Sequence, residues 1–530
     1  VTQHETVIRG GTVIDGTGAP GAAADVAVDG GRVTRVAPAG AGDPPRGAVE
    51  IDAAGQAVVP GFIDLHSHAD FSVEGGPEAV TQLHQGVTTL VTGNCGWSPF
   101  PVDADGLLRR WSAFLATESG WDFTDAAGFA ATVDAARPAV NLALQVGHAA
   151  LRLAAMGDAE RPPEPGELDA MRALLRAAAR QGAYGFSTGL IYAPGTFATE
   201  AEVRALVATA AEEGLLYSTH MRNESHALAA AVDEALGAAE AAGARLEISH
   251  LKAMGPANHG AVAGALAAID AARARGVDAA ADVYPYTASS TTLTSRLPAW
   301  AMDGGAPALL RRLADPDTRA RVADGLRSRF GRDIDPEGVV LAALPDGPYS
   351  GAIGASIADL GRRDGTDPAE AALAVLAAHD AAVTIVNHAM SEADVAAVLR
   401  HPHVSVASDG WTLRAEGEGR PHPRSFGTFP RVLARYVREL GVLDLPDAVR
   451  RMTGLPASRL GLTDRGRIAV GAVADIAVFD PDTVADRSTF ADPWRLSTGF
   501  STVLVAGVPV LADGAPTGAR PGTVLRRAAA

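Results

Sequence analysis

Residues 58–68 read Val-Val-Pro-Gly-Phe-Ile-Asp-Leu-His-Ser-His, an apolar run of strand length that ends in two histidines one residue apart. On a strand, positions i and i+2 share a side, so His66 and His68 can aim both imidazoles at one point beyond the strand end. The same pattern recurs down the chain. Val-Thr-Gly-Asn precedes Cys95, Leu-Leu-Tyr-Ser-Thr ends in His220, Leu-Glu-Ile-Ser ends in His250, and Val-Ser-Val-Ala-Ser ends in Asp409, followed by Gly410.

Strand-length apolar runs at 61–65, 88–92, 141–146, 183–187, 215–219, 245–249, 278–283 and 404–408 alternate with Ala/Leu/Arg/Glu-rich helical stretches. Continuously apolar strands separated by helices predict a parallel sheet buried on both faces. Eight of them predict a closed (β/α)8 barrel of the TIM type, whose active site lies at the C-terminal rim. The gap before the last strand, about 287–400, holds helical segments, a Pro/Gly-rich stretch and an apolar run at 382–386, and reads as a capping insertion. A doubly wound open sheet is the rival, but no glycine-rich phosphate loop follows the first strand. Outside the barrel, residues 1–59 and 461–530 alternate apolar and polar positions in short pieces between Gly, Asp and Pro, which predicts one small β-sandwich built from both ends of the chain. The barrel then spans 60–460.

At 530 residues, with 47% apolar and 20% charged residues, the composition is that of a globular enzyme with a large domain and a smaller companion. The net charge of -17 disfavours nucleic acid and anionic membrane as partners. No apolar run approaches the ~18 residues of a membrane span, and residues 1–11 show no secretory pattern, so a cytoplasmic address is expected. Two singletons stand out. Cys95 is the only cysteine, which excludes an internal disulfide, and Lys252 is the only lysine in an arginine-rich chain. A lysine kept against that bias suggests a site where a compact ammonium on a flexible stem is needed. Lying two residues beyond His250, Lys252 can point to the same mouth.

Any single histidine here is more often a hydrogen-bonded structural residue than a ligand, and a lone cysteine in an apolar stretch is usually just buried. Six metal-competent residues, each at a strand end, change that balance. Imidazole, thiolate and carboxylate together suit Zn²⁺ rather than Mg²⁺ or Ca²⁺. His84, His379, His401 and His403 lie in or beside helical stretches and read as structural, while His4, His226 and His259 have no assigned role.

The stretch at 60–68 resembles the opening motif of the amidohydrolase superfamily. Further along, GlyAsnCysGly (93–96), GlyPheSerThrGlyLeuIleTyrAlaProGly (185–195), ThrHisMetArgAsnGlu (219–224), IleSerHisLeuLys (248–252), AspValTyrProTyrThrAla (282–288), SerAspGly (408–410) and HisProArg…GlyThrPheProArg (422–431) are similar to the N-acyl-D-amino-acid deacylases, or D-aminoacylases. Most of the superfamily bridges two metals with a carboxylated lysine on the fourth strand. Ala-Tyr-Gly-Phe-Ser has none there, and the D-aminoacylases use a cysteine on the second strand, where Cys95 stands.

The resemblance implies a tight zinc site of Cys95, His220 and His250. It also implies a weaker or optional second site on His66 and His68, with Asp409 beside it. Asp409 would take a proton from water and pass it to the departing amine, and Tyr192 would donate its hydroxyl to the developing oxyanion. Tyr192 also reads as a rim or core aromatic. The substrate carboxylate calls for a cation, supplied by Lys252 from its placement or by Arg296. Tyr284 and Ser289 or Ser290 lie in the segment that the resemblance assigns to that clamp, although Arg296 reads equally as a surface arginine. His148 and Arg152 fall in another family motif without a physical role attached. The implied reaction is zinc-dependent hydrolysis of an N-acyl-D-amino acid, a small-molecule substrate. The alternatives are an amidohydrolase acting on N-acyl-L-amino acids, dipeptides or a related amide, and a barrel that binds without turnover. Retention of Asp409 argues against the last, since binding alone needs no proton carrier.

Overall fold

The computed structural model describes residues 3–40, 44–115 and 120–527. Eight parallel strands form the barrel: β1 (Phe62–Asp64), β2 (Val87–Thr92), β3 (Asn141–Gly147), β4 (Gly185–Gly189), β5 (Leu216–His220), β6 (Arg245–Ile248), β7 (Ala279–Val283) and β8 (Val404–Val406). They pair in chain order, as the eight apolar runs predict. Nearly all their residues are buried, because the inner faces fill the barrel and the outer faces meet helices. Closure occurs just past the strands. Ser67 and Gly410 form a parallel bridge, His68 N–H donates to Gly410 O at 2.8 Å, and Asp409 N–H donates to His66 O at 2.7 Å. The seam of the barrel is thus made of the candidate site itself.

Strands from both ends of the chain form one nine-stranded sheet. Its junction is Ala57–Pro60 against Ile476–Phe479, antiparallel, with Val59 opposite Ala477. One side of this sheet packs through Ile8, Val26, Val58, Ile476 and Leu504. The expected boundary needs a correction at the far end. Val524–Leu525 leave that sheet and pair in parallel with β3, Val524 opposite Leu142, so this tail belongs to the barrel wall.

The insertion has its own core, with Leu309, Val322, Leu326, Leu373 and Ile385 at its centre. The apolar run at 382–386 becomes the middle strand, Thr384–His388, of a three-stranded antiparallel sheet with Ala288–Thr292 and Val339–Ala343. The expected end at 400 is also corrected. Helix Glu392–Arg400 buries Val395, Val398 and Leu399 in the barrel core, and it packs on helix Val262–Ala274 and on β7 and β8. It is therefore the barrel helix that precedes β8.

His148 and Arg152, left without a role by the sequence, form a buried ionic cluster with Glu202. Arg152 Nη1 lies 2.7 and 2.6 Å from the two Glu202 oxygens, and His148 Nε2 lies 2.8 Å from Glu202 Oε1. The cluster ties helix His148–Met156 to helix Glu200–Glu212, bracing the loop between β4 and that second helix. Removing one partner of a buried pair strands the other charge. Arg152→Met is expected to destabilise the protein by about 3–5 kcal/mol, read as a lower Tm in calorimetry. An unchanged Tm would show that the cluster carries no stability.

Candidate metal centre and active site

Beyond β1, His66 directs Nε2 to within 3.3 Å of Cys95 Sγ and 3.4 Å of Asp409 Oδ1. Its Nδ1 lies 3.4 Å from Asp282 Oδ2, at the end of β7, and Asp282 Oδ1 accepts the His250 N–H at 2.7 Å. His68 Nε2 lies 3.0 Å from Asp409 Oδ1. Cys95 sits in the turn after β2. A Cβ on Gly93 would lie 2.0 Å from Gln145 O, and one on Gly96 2.6 Å from Gly189 N, so only glycines let this turn nest on β3 and β4. Cys95 Sγ is 3.5 Å from His220 Nδ1 and 3.4 Å from His250 Nε2.

The ligand atoms fall into two overlapping groups, His66/His68/Cys95/Asp409 and Cys95/His220/His250, each within a 4.8 Å span, with Cys95 in both. A tetrahedral zinc, with S at about 2.3 Å and N at about 2.0–2.1 Å, separates its ligand atoms by roughly 3.5 Å. The Cys95–imidazole distances of 3.3–3.5 Å fit that requirement. Burial pushes the Cys95 thiol up, but facing charge on His66 and His250, with hydrogen bonds from His220 and His250, holds it well below its ordinary value. Thiolate is the form a metal takes. The backbone is strained here as well. Cys95, His250 and Asp409 have φ of 54°, 36° and 52°, a left-handed region unfavourable to residues with a Cβ.

Three functional neighbours escaped the sequence reading. Glu224, four residues after His220 in the loop beyond β5, is buried with Oε2 3.3 Å from His220 Nε2 and Oε1 3.0 Å from His250 Nδ1. It stands behind the rear nitrogens of both imidazoles, whose forward nitrogens face Cys95. Asp282 does the same behind His66. Arg424 Nη1 lies 2.7 Å from Asp409 Oδ2. Burial raises Asp409, but Arg424 and His66 hold it well below the usual carboxylate range. All three stand inside the quoted motifs; for Glu224 and Asp282 the signal was a charged residue at or just past a strand end, while Arg424 opens helix Arg424–Arg431 well beyond β8.

The sequence-derived substrate residues fare unevenly. Lys252 does not reach the cavity mouth. Its Nζ donates to Glu224 Oε1 at 2.6 Å and lies 2.7 Å from His250 Nδ1, behind the metal-facing side. The expectation that it binds a substrate carboxylate is corrected, because that ammonium is committed to a buried carboxylate. Arg296 is no surface residue. It is 3% exposed and its Nη1 has no hydrogen-bond partner among the described residues. Burial pulls Arg296 down to about 10, so it stays charged at neutral pH. Ser289 Oγ and Tyr284 OH are likewise buried and without a hydrogen-bond partner among the described residues, and the Tyr284 ring has Lys252 and Arg424 over it at 5.6 and 5.0 Å. Ser290 lines the main cavity. Tyr192 lines it too, accepting from Thr291 Oγ1 at 3.1 Å, which leaves its own proton to donate. Burial, with the negative charge of Cys95, pushes the Tyr192 hydroxyl above its ordinary value, so that proton is retained.

The main cavity, of about 630 Å³, reaches His68, Cys95, His250 and Asp409. A second, of about 470 Å³, lies across Tyr192 and Trp97 from it and reaches Glu224, Ile191, Met254 and Leu297.

A parallel barrel with imidazole, thiolate and carboxylate gathered at its C-terminal rim defines a barrel hydrolase of the metal-dependent class. The chain belongs to the amidohydrolase family, whose model matches residues 49–511. It is 40% identical to an N-acyl-D-glutamate deacylase of Alcaligenes xylosoxydans xylosoxydans over 99% of this chain and 96% of that protein. It is 36% identical to a D-aminoacylase of the same organism over 99% and 98%. Among solved structures, an N-acyl-D-glutamate deacylase from Bordetella bronchiseptica, complexed with zinc and a phosphonate mimic of the tetrahedral intermediate, superposes with a TM-score of 0.84. It shares 39% identity, with 99% of this chain and 100% of that one covered. A D-aminoacylase structure gives a TM-score of 0.82 at 35% identity over 99% and 100%.

Lys252→Met removes the cation 2.6 Å from buried Glu224. A loss of about 3–5 kcal/mol is expected, measured as a lowered Tm. A variant as stable as the parent protein would show that Glu224 does not depend on Lys252.

Proposed function

We propose that this chain is a zinc-dependent N-acyl-D-amino-acid deacylase that splits the amide into a carboxylic acid and a free D-amino acid. The observation that carries this reading is Cys95 at the hub of two ligand groups, with Glu224 behind both imidazoles of one group. The D configuration is taken from what the full-length relatives act on.

Cys95, His220 and His250 would hold the tight zinc. His66 and His68, with Asp409, would hold a weaker second ion. When bound, zinc supplies Lewis acidity toward the amide carbonyl and acidifies water. The chain's own residues do the rest. Asp409, oriented by His68 at Oδ1 and by Arg424 at Oδ2, takes the proton of the attacking water. It delivers that proton to the amide nitrogen as the C–N bond breaks, because an unprotonated amine anion is a very poor leaving group. Tyr192 donates its hydroxyl to the carbonyl oxygen as charge builds there. Arg296 receives the substrate α-carboxylate, with Ser289 and Tyr284, whose hydroxyls have no partner among the described residues, as neutral donors, while Ser290 lines the adjoining main cavity. A buried guanidinium with an unpartnered nitrogen is a site made for an anion.

Metal analysis with paired N-acetyl-D- and N-acetyl-L-amino acids tests the proposal. Turnover confined to the L series, or none with either, would overturn it. Cys95→Ala is expected to strip most of the zinc and the activity, and full occupancy in that variant would refute the ligand assignment. Asp409→Asn keeps the shape but cannot carry a proton, so kcat should fall by roughly 10²-fold or more with zinc retained at the tight site. Near-normal turnover would place the base elsewhere.

A further inference from the structure

An N-acyl amino acid has two arms that meet at the amide, and two cavities meet at this site, divided by Tyr192 and Trp97. Their chemistry differs. The second cavity is bordered by Ser295 and Leu297, which flank Arg296, the buried cation with an unpartnered nitrogen. The main cavity reaches the metal-facing side past Asp409. Arg424, within it, is already engaged with Asp409. The walls of this cavity include Trp97, Trp411, Trp494, Leu115, Leu413 and Ala343, with the hydroxyls of Ser72, Thr384 and Thr412 between them.

These walls are fixed in place. The Trp411 ring lies 5.7 Å from the His68 ring, and its backbone is held by Ser425 Oγ at 3.2 Å and Gln82 Nε2 at 3.0 Å. Trp494 arrives from the C-terminal segment, donates Nε1–H to Gly419 O at 3.1 Å and packs edge-on to Phe426 at 5.6 Å. The cavity is therefore preformed, aromatic and continuous with the reacting centre. An acetyl methyl occupies about the volume of one water, roughly 30 Å³. The main cavity, at about 630 Å³, is far larger than that group needs.

We infer that the tryptophan-lined main cavity is the subsite for the acyl arm, and that it takes a large apolar acyl group, aromatic or medium-chain, in preference to acetyl. This rests on the deacylase reading and specifies which substrates that enzyme prefers. Apolar acyl carbons leave water for indole and aliphatic surface, while the carboxylate arm turns toward Arg296.

The test is a series of N-acetyl, N-butanoyl, N-octanoyl and N-phenylacetyl derivatives of one D-amino acid, assayed with the zinc-loaded enzyme. kcat/KM should rise at least about tenfold from acetyl to octanoyl, with phenylacetyl also above acetyl. Ala343→Trp, on the exposed edge of the cavity, should lower the octanoyl-to-acetyl ratio at least about tenfold, with an unchanged Tm showing that the variant folds. A flat or falling series with good acetyl turnover would overturn the inference, leave the deacylase reading standing and make the cavity an access path only. No turnover at any acyl length would overturn both.

Discussion

The candidate site depends on the seam where the barrel closes. β1 and β8 meet through Asp409 N–H on His66 O and the Ser67–Gly410 bridge, beyond the ends of the strands proper. A β-barrel cannot leave these two edges unpaired in its core without stranding backbone donors and acceptors. The pairing that completes the sheet therefore also presses His66 and His68 against Asp409. Closure of the fold and assembly of half the site are one event.

Around that seam, rigidity comes from charge rather than from apolar packing alone. Glu224 stands behind His220 and His250, Asp282 behind His66, and Arg424 beside Asp409. Each first contact is thus aimed by a second, buried one, which sets which nitrogen of each ring faces the centre. The left-handed φ values at Cys95, His250 and Asp409 show that three strand ends are bent out of their regular course to converge. Such conformations persist only where the surroundings over-determine them. Here the barrel hydrogen bonds and the ionic shell do so together. Lys252 belongs to this shell, its compact ammonium set between a carboxylate and an imidazole.

The parts outside the barrel shape what reaches the centre. The insertion brings Ser290, Thr291, Ala342 and Ala343 to the main cavity and Leu297 to the second. The terminal sheet contributes Trp494 through a long excursion between two of its strands. Ligand chemistry is thus confined to barrel strand ends, and the walls are drawn from three separate stretches of chain. That division allows one metal-binding framework to accept different substrates by changing only its surroundings.

The local sequence determined the barrel strands and the six metal-competent residues. Apolar runs of strand length that alternate with helical stretches fit strands buried on both faces, and a polar side chain that ends such a run lies at the rim. Cys95, His220 and His250 were legible on those grounds. Other features were decided by residues far apart in the chain. Lys252 lies two positions from His250 and was expected at the cavity mouth, but Glu224, 28 residues earlier, draws it to the rear. Arg424 pairs with Asp409 only because the chain folds back after β8. Helix Glu392–Arg400 joins the barrel rather than the insertion because its apolar face finds β7 and β8, and Val524–Leu525 leave the terminal sheet because an edge of β3 lies open to them. Periodicity along the chain states what an element buries. Which partner it buries against, and which charge meets which, is settled only when distant segments compete for the same space.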